Sequence, residues 1–589
     1  MTPTELIEQI EQGFSEGSLA VWCGAGASVS SGLPGAEALT EKILAATYLT
    51  SKECKMVRES LFGIPGEEPG RLPFERFMEV VLDSMDESLQ TKLLSLFELG
   101  QPNLYHRFLA KLAWSGKLKT IYTTNFDTQI EDALVKENFK RGKDFEVLHD
   151  SADFIKIDWG QDVVRVIKLH GSVELLTRLA VTVRQVAAPG SVQQVIEPVR
   201  SLFCSGRHTG VLFLGYSFSD RFDLSPAITQ EGDKSGKFVI DLEYTIQGDK
   251  KFKLIDFDDE HPLASYKSKW CLAGDPLEVI KELCSNFEFD DILYEEPIEP
   301  DDAINKKTGP STDWRTFLYE FFNKLDKEYS GVAGNYIAGS LMGMINDNKR
   351  ALKYFKRSES IAKKIDNVRF RLVSLQSLAG AQISLGQNDE ALKTLKQAEL
   401  LAAKFEDGKF SDNVLTQFGS LYRQIGYSNI ERALQYCNKA LEVAQKDDDK
   451  MRCVPHLSGI AECWMRLGDL DAVQLAYSHI LDIVKPSGDL YRKAGIYGNV
   501  GSLAYIIRDY KSSLEWYEEA CNISALAGDI ERVGIHTMNL GNVYVKRKQH
   551  EDALICYDKA RKLFKKINSN HPQLKLLEKH VQHAKKLSN

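Results

Sequence analysis

The chain has 589 residues, 43% of them hydrophobic and 27% charged, with 74 Lys and Arg against 83 Asp and Glu for a formal net charge of −9. This is a globular composition too long for one core, and its acidic balance argues against nucleic acid as a partner. No apolar run approaches the ~18 residues that a membrane span needs. The ten cysteines are scattered without a Cys-x-x-Cys pair, which points to a reducing cytoplasm and no zinc knuckle.

The opening "MTPTELIEQIEQGFSEG" reads as a polar amphipathic helix rather than a signal or transit peptide. Short apolar runs then alternate with helical stretches up to about residue 293. "LAVWCGAG", "LKTIYTTN", "VVRVIKLHG", "GVLFLGYS" and "KFVIDLEY" have the look of buried strands, each ending in a small or polar cluster. Strands separated by helices predict a parallel, Rossmann-like α/β sheet covered on both faces. Residues 36–113, between the first two strands, are far too long for one crossover helix and predict a helical subdomain or lid. The acidic, proline-bearing stretch 294–312, "YEEPIEPDDAINKKTGPST", predicts a linker.

From 313 to 589 the pattern is all helix and it repeats. Ala351, Ala391, Ala433, Val473, Ser513 and Ala553 fall in one column, at steps of 40, 42, 40, 40 and 40 residues. A second small-residue column holds Gly339, Ala379, Gly419, Ala461, Gly501 and Gly541. Small residues at fixed spacing let paired helices approach closely, with large apolar residues filling the layer. The pattern resembles the tetratricopeptide repeat family in a longer variant, over 320–565, with a final capping helix at 572–587. The resemblance implies an all-α superhelix whose concave face takes a peptide or protein, or which acts as a scaffold or oligomerisation arm.

"VWCGAGASVSSGLPG", residues 21–35, is a glycine turn after a strand. It can be a tight strand-to-helix turn without a ligand, or a helix start that accepts an anion. A dehydrogenase fingerprint fails because Val29 stands where the third glycine belongs, and no Gly-Lys-Ser/Thr follows for a phosphate loop. Three other clusters end strands. Asn125 and Asp127 can cap the helix "DTQIEDAL", His170 can be a satisfied structural histidine, and Gly215 and Ser217 can be turn formers. Equally, all of them fall where open α/β sheets bind ligands.

Taken in order, Gly24-Ala25-Gly26-x-Ser28-x-x-Ser31-Gly32-Leu33-Pro34, "PNLYHRFLAKL" at 102–112, "YTTNFDTQIEDAL" at 122–134, "KLHGS" at 168–172 and "LGYSFSD" at 214–220 resemble the motifs of the sirtuin family over about 15–290. The resemblance implies NAD as substrate and no metal. It sets Gly24, Ala25, Gly26 and Ser28 around the pyrophosphate and Asn125 and Asp127 near the nicotinamide ribose. His170 would be the base, and Gly215, Ser217, Asp220, Asp241 and Asp275 would lie on the adenosine side. Asn125 would hold a ribose hydroxyl or the attacking water. Orientation and one positioned base are the main needs of such a cleavage.

The chain departs from deacylating sirtuins at Gly35-Ala36-Glu37 and lacks their four-cysteine ribbon. It resembles instead the divergent sirtuin-like proteins fused to repeat arrays, which implies an NAD glycohydrolase effector of bacterial anti-phage defence. In that picture 1–293 is catalytic, and 313–589 senses a phage-derived protein or peptide trigger or restrains activity. The likeness also implies homo-oligomerisation. The competing readings are an NAD-dependent deacylase whose repeats recruit substrate, and a non-enzymatic adaptor sensing NAD or ADP-ribose. A cyclic ADP-ribose product is a further variant, because water and an internal nucleophile compete for one intermediate.

Overall fold

A computed structural model describes residues 1–62, 72–149, 153–154, 156–182, 185, 189–220, 224–232, 235–244, 252–259, 261–293, 313–323, 327–405, 408–446, 450–567, 569 and 571–588. The chain forms two compact units, one of Met1–Ile43 with Glu87–Phe321, the other of Leu44–Asp86 with Phe322–Asn589. Residues 36–113, expected as one helical subdomain, divide between the two, with Leu44–Asp86 falling in the repeat unit. The expected linker 294–312 lies outside the described residues.

The first unit is built on eight strands: β1 Leu19–Cys23, β2 Thr120–Thr123, β3 Phe145–Leu148, β4 Val164–Lys168, β5 Gly210–Leu214, β6 Phe238–Tyr244, β7 Lys253–Ile255 and β8 Ser268–Gly274. Their order is β3-β4-β2-β1-β5-β6-β8-β7, and all neighbours are parallel except β7 against β8. β1, β2 and β5 are buried along their whole length, as a sheet covered on both faces requires. Alternation divides them. Leu19, Val21 and Cys23 join one core with Leu6, Ile10 and Phe14 of helix α1 (Pro3–Ser15), while Ala20 and Trp22 join the other with Tyr122, Phe213 and Tyr216. Helix α1 starts where the sequence signals it, at a Thr2–Glu5 capping box followed by Pro3.

Between β1 and β2 lie α2 (Ala36–Ala46), α3 (Ser51–Val57), α4 (Phe74–Asp83), α5 (Glu87–Leu94) and α6 (Leu104–Trp114). Helix α7 (Gln129–Lys136) follows β2, α8 (Pro189–Cys204) and α9 (Leu224–Gly232) flank β5, and α10 (Pro276–Asn286) follows β8. Leaving β1, the chain crosses to β2 on one side and later returns to β5 on the other. The carboxyl end of β1 is therefore the switch point at which doubly wound sheets take their ligands.

After α11 (Trp314–Asn323) the second unit stacks helix pairs: α12 (Lys327–Met344) with α13 (Asn348–Lys364), α14 (Val368–Ser384) with α15 (Asn388–Ala402), and α16 (Lys409–Ile425) with α17 (Ile430–Ala444). It continues with α18 (Cys453–Leu467) and α19 (Leu470–Val484), α20 (Leu490–Ile506) and α21 (Tyr510–Leu526), and α22 (Ile530–Lys546) and α23 (His550–Ile567). Helix α24 (Gln573–Ser588) closes the array. Asp347, Asp469, Asp489, Asp509 and Asp529 each cap a helix start by accepting a backbone N–H three residues on.

The two small-residue columns have one cause. A Cβ on Gly339, Gly501 or Gly541 would stand 2.7, 3.1 or 2.5 Å from the ring of Phe355, Tyr517 or Tyr557. Each ring lies one helical turn beyond the small residue of the other column, Ala351, Ser513 or Ala553. In these three pairs the bare residue on one helix receives the aromatic ring of its partner, and Gly419 receives the Cys437 sulfur in the same way, at 2.7 Å from its Cβ position.

Candidate functional site

The turn after β1 is a tight 3-10 segment, Ala25–Ser31, ended by Gly32 at φ 84°. Its glycines are bare because another backbone lies on them. A Cβ on Gly24 would stand 2.5 Å from the Gly215 carbonyl oxygen and from Tyr216 Cα, and one on Gly26 2.8 Å from the same oxygen. Their amides are also engaged, Gly24 N–H donating to the Leu214 carbonyl and Gly26 N–H to that of Gly215, both at 2.8 Å. Gly215 itself sits at φ +62°, and its Cβ would fall 2.3 Å from the Ala27 nitrogen. The turn is thus locked to the end of β5. The missing side chains at 24 and 26 serve that lock, while Ala25 and Gly26 face solvent.

Beneath the turn lies a buried polar network. Asn125, at the end of β2 and 5% exposed, donates through Nδ2 to the Gly24 carbonyl (3.1 Å) and to Ser28 Oγ (3.0 Å). Asn125 Oδ1 is buried without a partner in the chain. His106, fully buried in α6, reaches Ser28 Oγ through Nε2 and Ser31 Oγ through Nδ1, both at 3.3 Å. Since the Asn103 N–H donates to His106 Nδ1, the network assigns the ring proton to Nε2, which donates to Ser28. Ser28 Oγ then accepts twice and turns its own proton to Asp127. Burial, with the nearby Lys168 charge, drives the His106 pKa down to about 3, so the ring is neutral. Asn103 caps α6 and ties it to the turn, donating to the Ala27 carbonyl (2.6 Å) and to Ser30 Oγ (2.7 Å).

Asp127 accepts from the Gln129 N–H at 3.0 Å from one residue before the cap of α7, which is Thr128, while Asn125 turns away to Gly24 and Ser28. Burial holds its carboxyl above the ordinary range even though Lys168, the Gln129 amide and Ser28 all pull the other way. Lys168, at the end of β4, donates to the Asp127 carbonyl and to Glu131 Oε1 (2.8 Å), both carboxylate and ammonium being buried. His170 is buried just beyond β4. The bonds Leu169 N–H to the Thr123 carbonyl and Val173 N–H to the Phe126 carbonyl, each 2.9 Å, bind that segment to the Asn125 turn.

The remaining candidates spread across the sheet. Ser217 is exposed and bonds Ser219 Oγ at 2.7 Å, and the Asp220 carbonyl accepts from Ser225 N–H. Asp241 is buried within β6, its pKa pushed up to about 8 by burial and by Glu243. Asp275 is exposed and caps α10, accepting from Leu277 N–H at 3.0 Å. The structure therefore joins Gly24, Ser28, Asn125 and Asp127 directly, brings Gly26 and Gly215 together backbone to backbone, and sets His170 on the adjoining strand end. Asp241 and Asp275 stand outside the network. Sequence reasoning did not single out Asn103, His106, Lys168 or Glu131. The signal for Asn103 is its cap position inside "PNLYHR", and for Lys168 its place two residues before His170; His106 and Glu131 carry none.

Residues 119–248 match the family described as SIR2-like domain, whose members use NAD. The match runs from the start of β2 past β6 and includes Asn125, Asp127, His170, Gly215 and Asp241. The chain thus carries a SIR2-like domain followed by an array of tetratricopeptide-like helical repeats. No curated protein matches it. Among solved structures it is similar to BtubC (BKLC) from P. vanneervenii, at 19% identity over 39% of this chain and 93% of that one, with a TM-score of 0.31. A Rap protein complexed with Competence and Sporulation Factor matches at 14% identity over 53% and 94%, TM-score 0.34. A thermophilic TPR protein of Thermus thermophilus, TTC0263, matches at 20% over 34% and 95%, TM-score 0.27. Among the described residues no group of His, Cys, Asp and Glu could hold a metal ion, and no helix is long and apolar enough to cross a membrane.

Proposed function

We propose that the sheet unit is an NAD glycohydrolase, cleaving NAD with water to nicotinamide, ADP-ribose and a proton. The observation that carries this reading is Asn125. Its Nδ2 is fixed by Gly24 and Ser28, while its Oδ1 is buried and unpaired. A buried acceptor without a donor costs about 1–3 kcal/mol, so it is a place where a ligand hydroxyl or a water is bound favourably. Asn125 Oδ1 accepts from a ribose hydroxyl or from the attacking water. His170, one strand over, is the base that takes the proton. The turn Gly24-Ala25-Gly26 lies toward the pyrophosphate through its exposed residues Ala25 and Gly26, and Ser28, its hydroxyl taken up by Asn125, His106 and Asp127, holds that turn from beneath. Asp127 lies toward the nicotinamide ribose, and Gly215, Ser217, Asp220, Asp241 and Asp275 toward the adenosine.

Nicotinamide leaves as a neutral base, so orientation and a single base supply most of what the reaction needs. Gly35-Ala36-Glu37 and the scattered cysteines favour hydrolysis over deacylation. In the cell the activity would deplete NAD as an anti-phage effector, with the repeats receiving a phage protein or peptide and the chain acting as a homo-oligomer. The test is NAD consumption by the whole chain, with and without lysate of phage-infected cells, and by His170→Ala and Asn125→Ala, with products separated by chromatography. Nicotinamide and ADP-ribose formed without an acyl peptide, and lost in both variants, support the reading. Turnover only with acyl peptide, or turnover unchanged in both variants, overturns it.

A further inference from the structure

The repeat unit includes a piece of chain that the sequence places far from it. Residues 44–62 and 72–86, inserted between β1 and β2, lie on both ends of the array. At the near end Glu53 is the centre. Its Oε2 accepts from Tyr354 Oη (2.8 Å) and from Thr50 N–H (2.8 Å), and its Oε1 meets Arg350 Nε at 3.3 Å. Tyr354 Oη also contacts the Tyr48 carbonyl at 3.0 Å. The Tyr48 ring packs on Gly334, where a Cβ would stand 2.8 Å from it. At the far end Ser60 Oγ donates to the Ile567 carbonyl (2.9 Å), and one pair earlier the Arg76 guanidinium stands 5.3 Å over the ring of Tyr491 in α20. The array's own ends meet beside these contacts. Asn346, after α12, is 3.3 Å from His571 Nε2, which is 3.3 Å from Glu531 at the start of α22.

We infer that the array's peptide-docking surface is built for the chain's own segment 44–62, and that an outside partner binds there by displacing it. The features used are those of a recognised ligand rather than of filler packing. A short helix, α3, presents a carboxylate through a Thr50–Glu53 capping box to one guanidinium and one phenol. A bare glycine, Gly334, receives its aromatic ring, and a single hydroxyl anchors the far end. Glu53 and Tyr354 are buried in this contact while Arg350 remains about two-fifths exposed, so a competitor gains entry at the guanidinium. The displacing partner is therefore a protein segment with a capped helix start of the Ser/Thr-x-x-Glu kind, an aromatic residue shortly before it and a net negative charge at the cap.

The consequence for the sheet unit rests on the function proposed above and runs through the chain itself. Helix α2 begins at Ala36, directly after the Gly32–Gly35 end of the glycine turn, and continues unbroken into Ala46. Release of 44–62 frees one end of that helix and so alters the turn that carries Ser28.

The test is hydrogen exchange on the full chain, comparing wild type with Glu53→Arg, Arg350→Glu, the double swap and the mild Tyr354→Phe, alongside NAD turnover. Each single charge reversal is expected to raise exchange at residues 48–57 about tenfold or more relative to α16–α19, Tyr354→Phe less, and the double swap to restore much of the protection. Unchanged exchange at 48–57 in the single variants, or a double swap no better protected than either single, overturns the inference. Altered exchange with no NAD consumption in any variant leaves the docking standing and removes the catalytic reading. NAD consumption with unchanged exchange does the reverse.

Discussion

Gly215→Ala is the substitution that separates a locked glycine turn from an ordinary one. At φ +62° an alanine costs about 1–2 kcal/mol from its own backbone conformation. Its Cβ would also stand 2.3 Å from the Ala27 nitrogen and 2.8 Å from the Gly26 carbonyl carbon, backbone atoms that no rotamer change can move aside. Overpacking of that kind adds about 1–3 kcal/mol, for about 2–5 kcal/mol in all. Gly116 supplies the reference. It has φ +74°, and nothing lies within 4 Å of its Cβ position, so Gly116→Ala carries the dihedral cost alone. At roughly 2–4 °C per kcal/mol, the midpoint of the sheet unit falls by about 10 °C for Gly215→Ala against about 4 °C for Gly116→Ala. Differential scanning calorimetry on the full chain reads both, since the two positions share one unit. Equal falls, or a larger fall at Gly116, would refute the claim that the β1 and β5 turns are held by backbone contact.

Two further expectations follow from buried charge. Lys168→Met leaves Glu131 and the Asp127 carbonyl without their cation, and truncating one member of a buried pair costs about 3–5 kcal/mol. Urea unfolding of Lys168→Met and of the double variant with Glu131→Leu measures this, and a double variant less stable than the single one would contradict it. Asp241 has its pKa raised from an ordinary 3.8 to about 8, so the folded chain binds its proton more tightly than the unfolded chain does. Its contribution to stability is therefore full below about pH 4 and is lost as pH rises toward 8. Asp241→Asn should gain stability over wild type at about pH 8.5 and little at about pH 5, measured as thermal midpoints at both. A larger gain at the lower pH would reverse the assigned sign.

The repeats are legible in the sequence because one packing solution recurs. Small positions on a first helix answer larger side chains on the second, rings at Phe355, Tyr517 and Tyr557 and a sulfur at Cys437, and the period of about 40 residues shows both columns at once. Five strands of the sheet are legible because central parallel strands are unbroken apolar runs. β3, β7 and β8 do not stand out as strands: "FEVL" and "KLI" are short, and "SKWCLAG" begins with two polar residues at an end that lies open to solvent. At the site, Asn125, Asp127 and Ser28 are legible as residue types at strand ends. His106 is not, because nothing local tells a buried neutral histidine on a helix from any other helix histidine. The partners that fix its proton, Asn103, Ser28 and Ser31, come together only in the fold. The placement of 44–86 is illegible for the same reason on a larger scale. Glu53 finds Arg350 and Tyr354 some three hundred positions away, and no period or composition shift announces it.

That distance has a meaning in time. Ser60 and Ile567 are 507 residues apart in the chain. At a synthesis rate of about 5–20 residues per second, Ser60 waits roughly 25–100 s on the ribosome before its partner exists. The last strand of the sheet, ending at Gly274, is made well before that wait is over. Every newly made molecule therefore passes through an interval in which all the strands exist but the Ser60 end of the insertion has no anchor, and a chain cut short ahead of Ile567 keeps only the anchors at Arg350, Tyr354 and Tyr491.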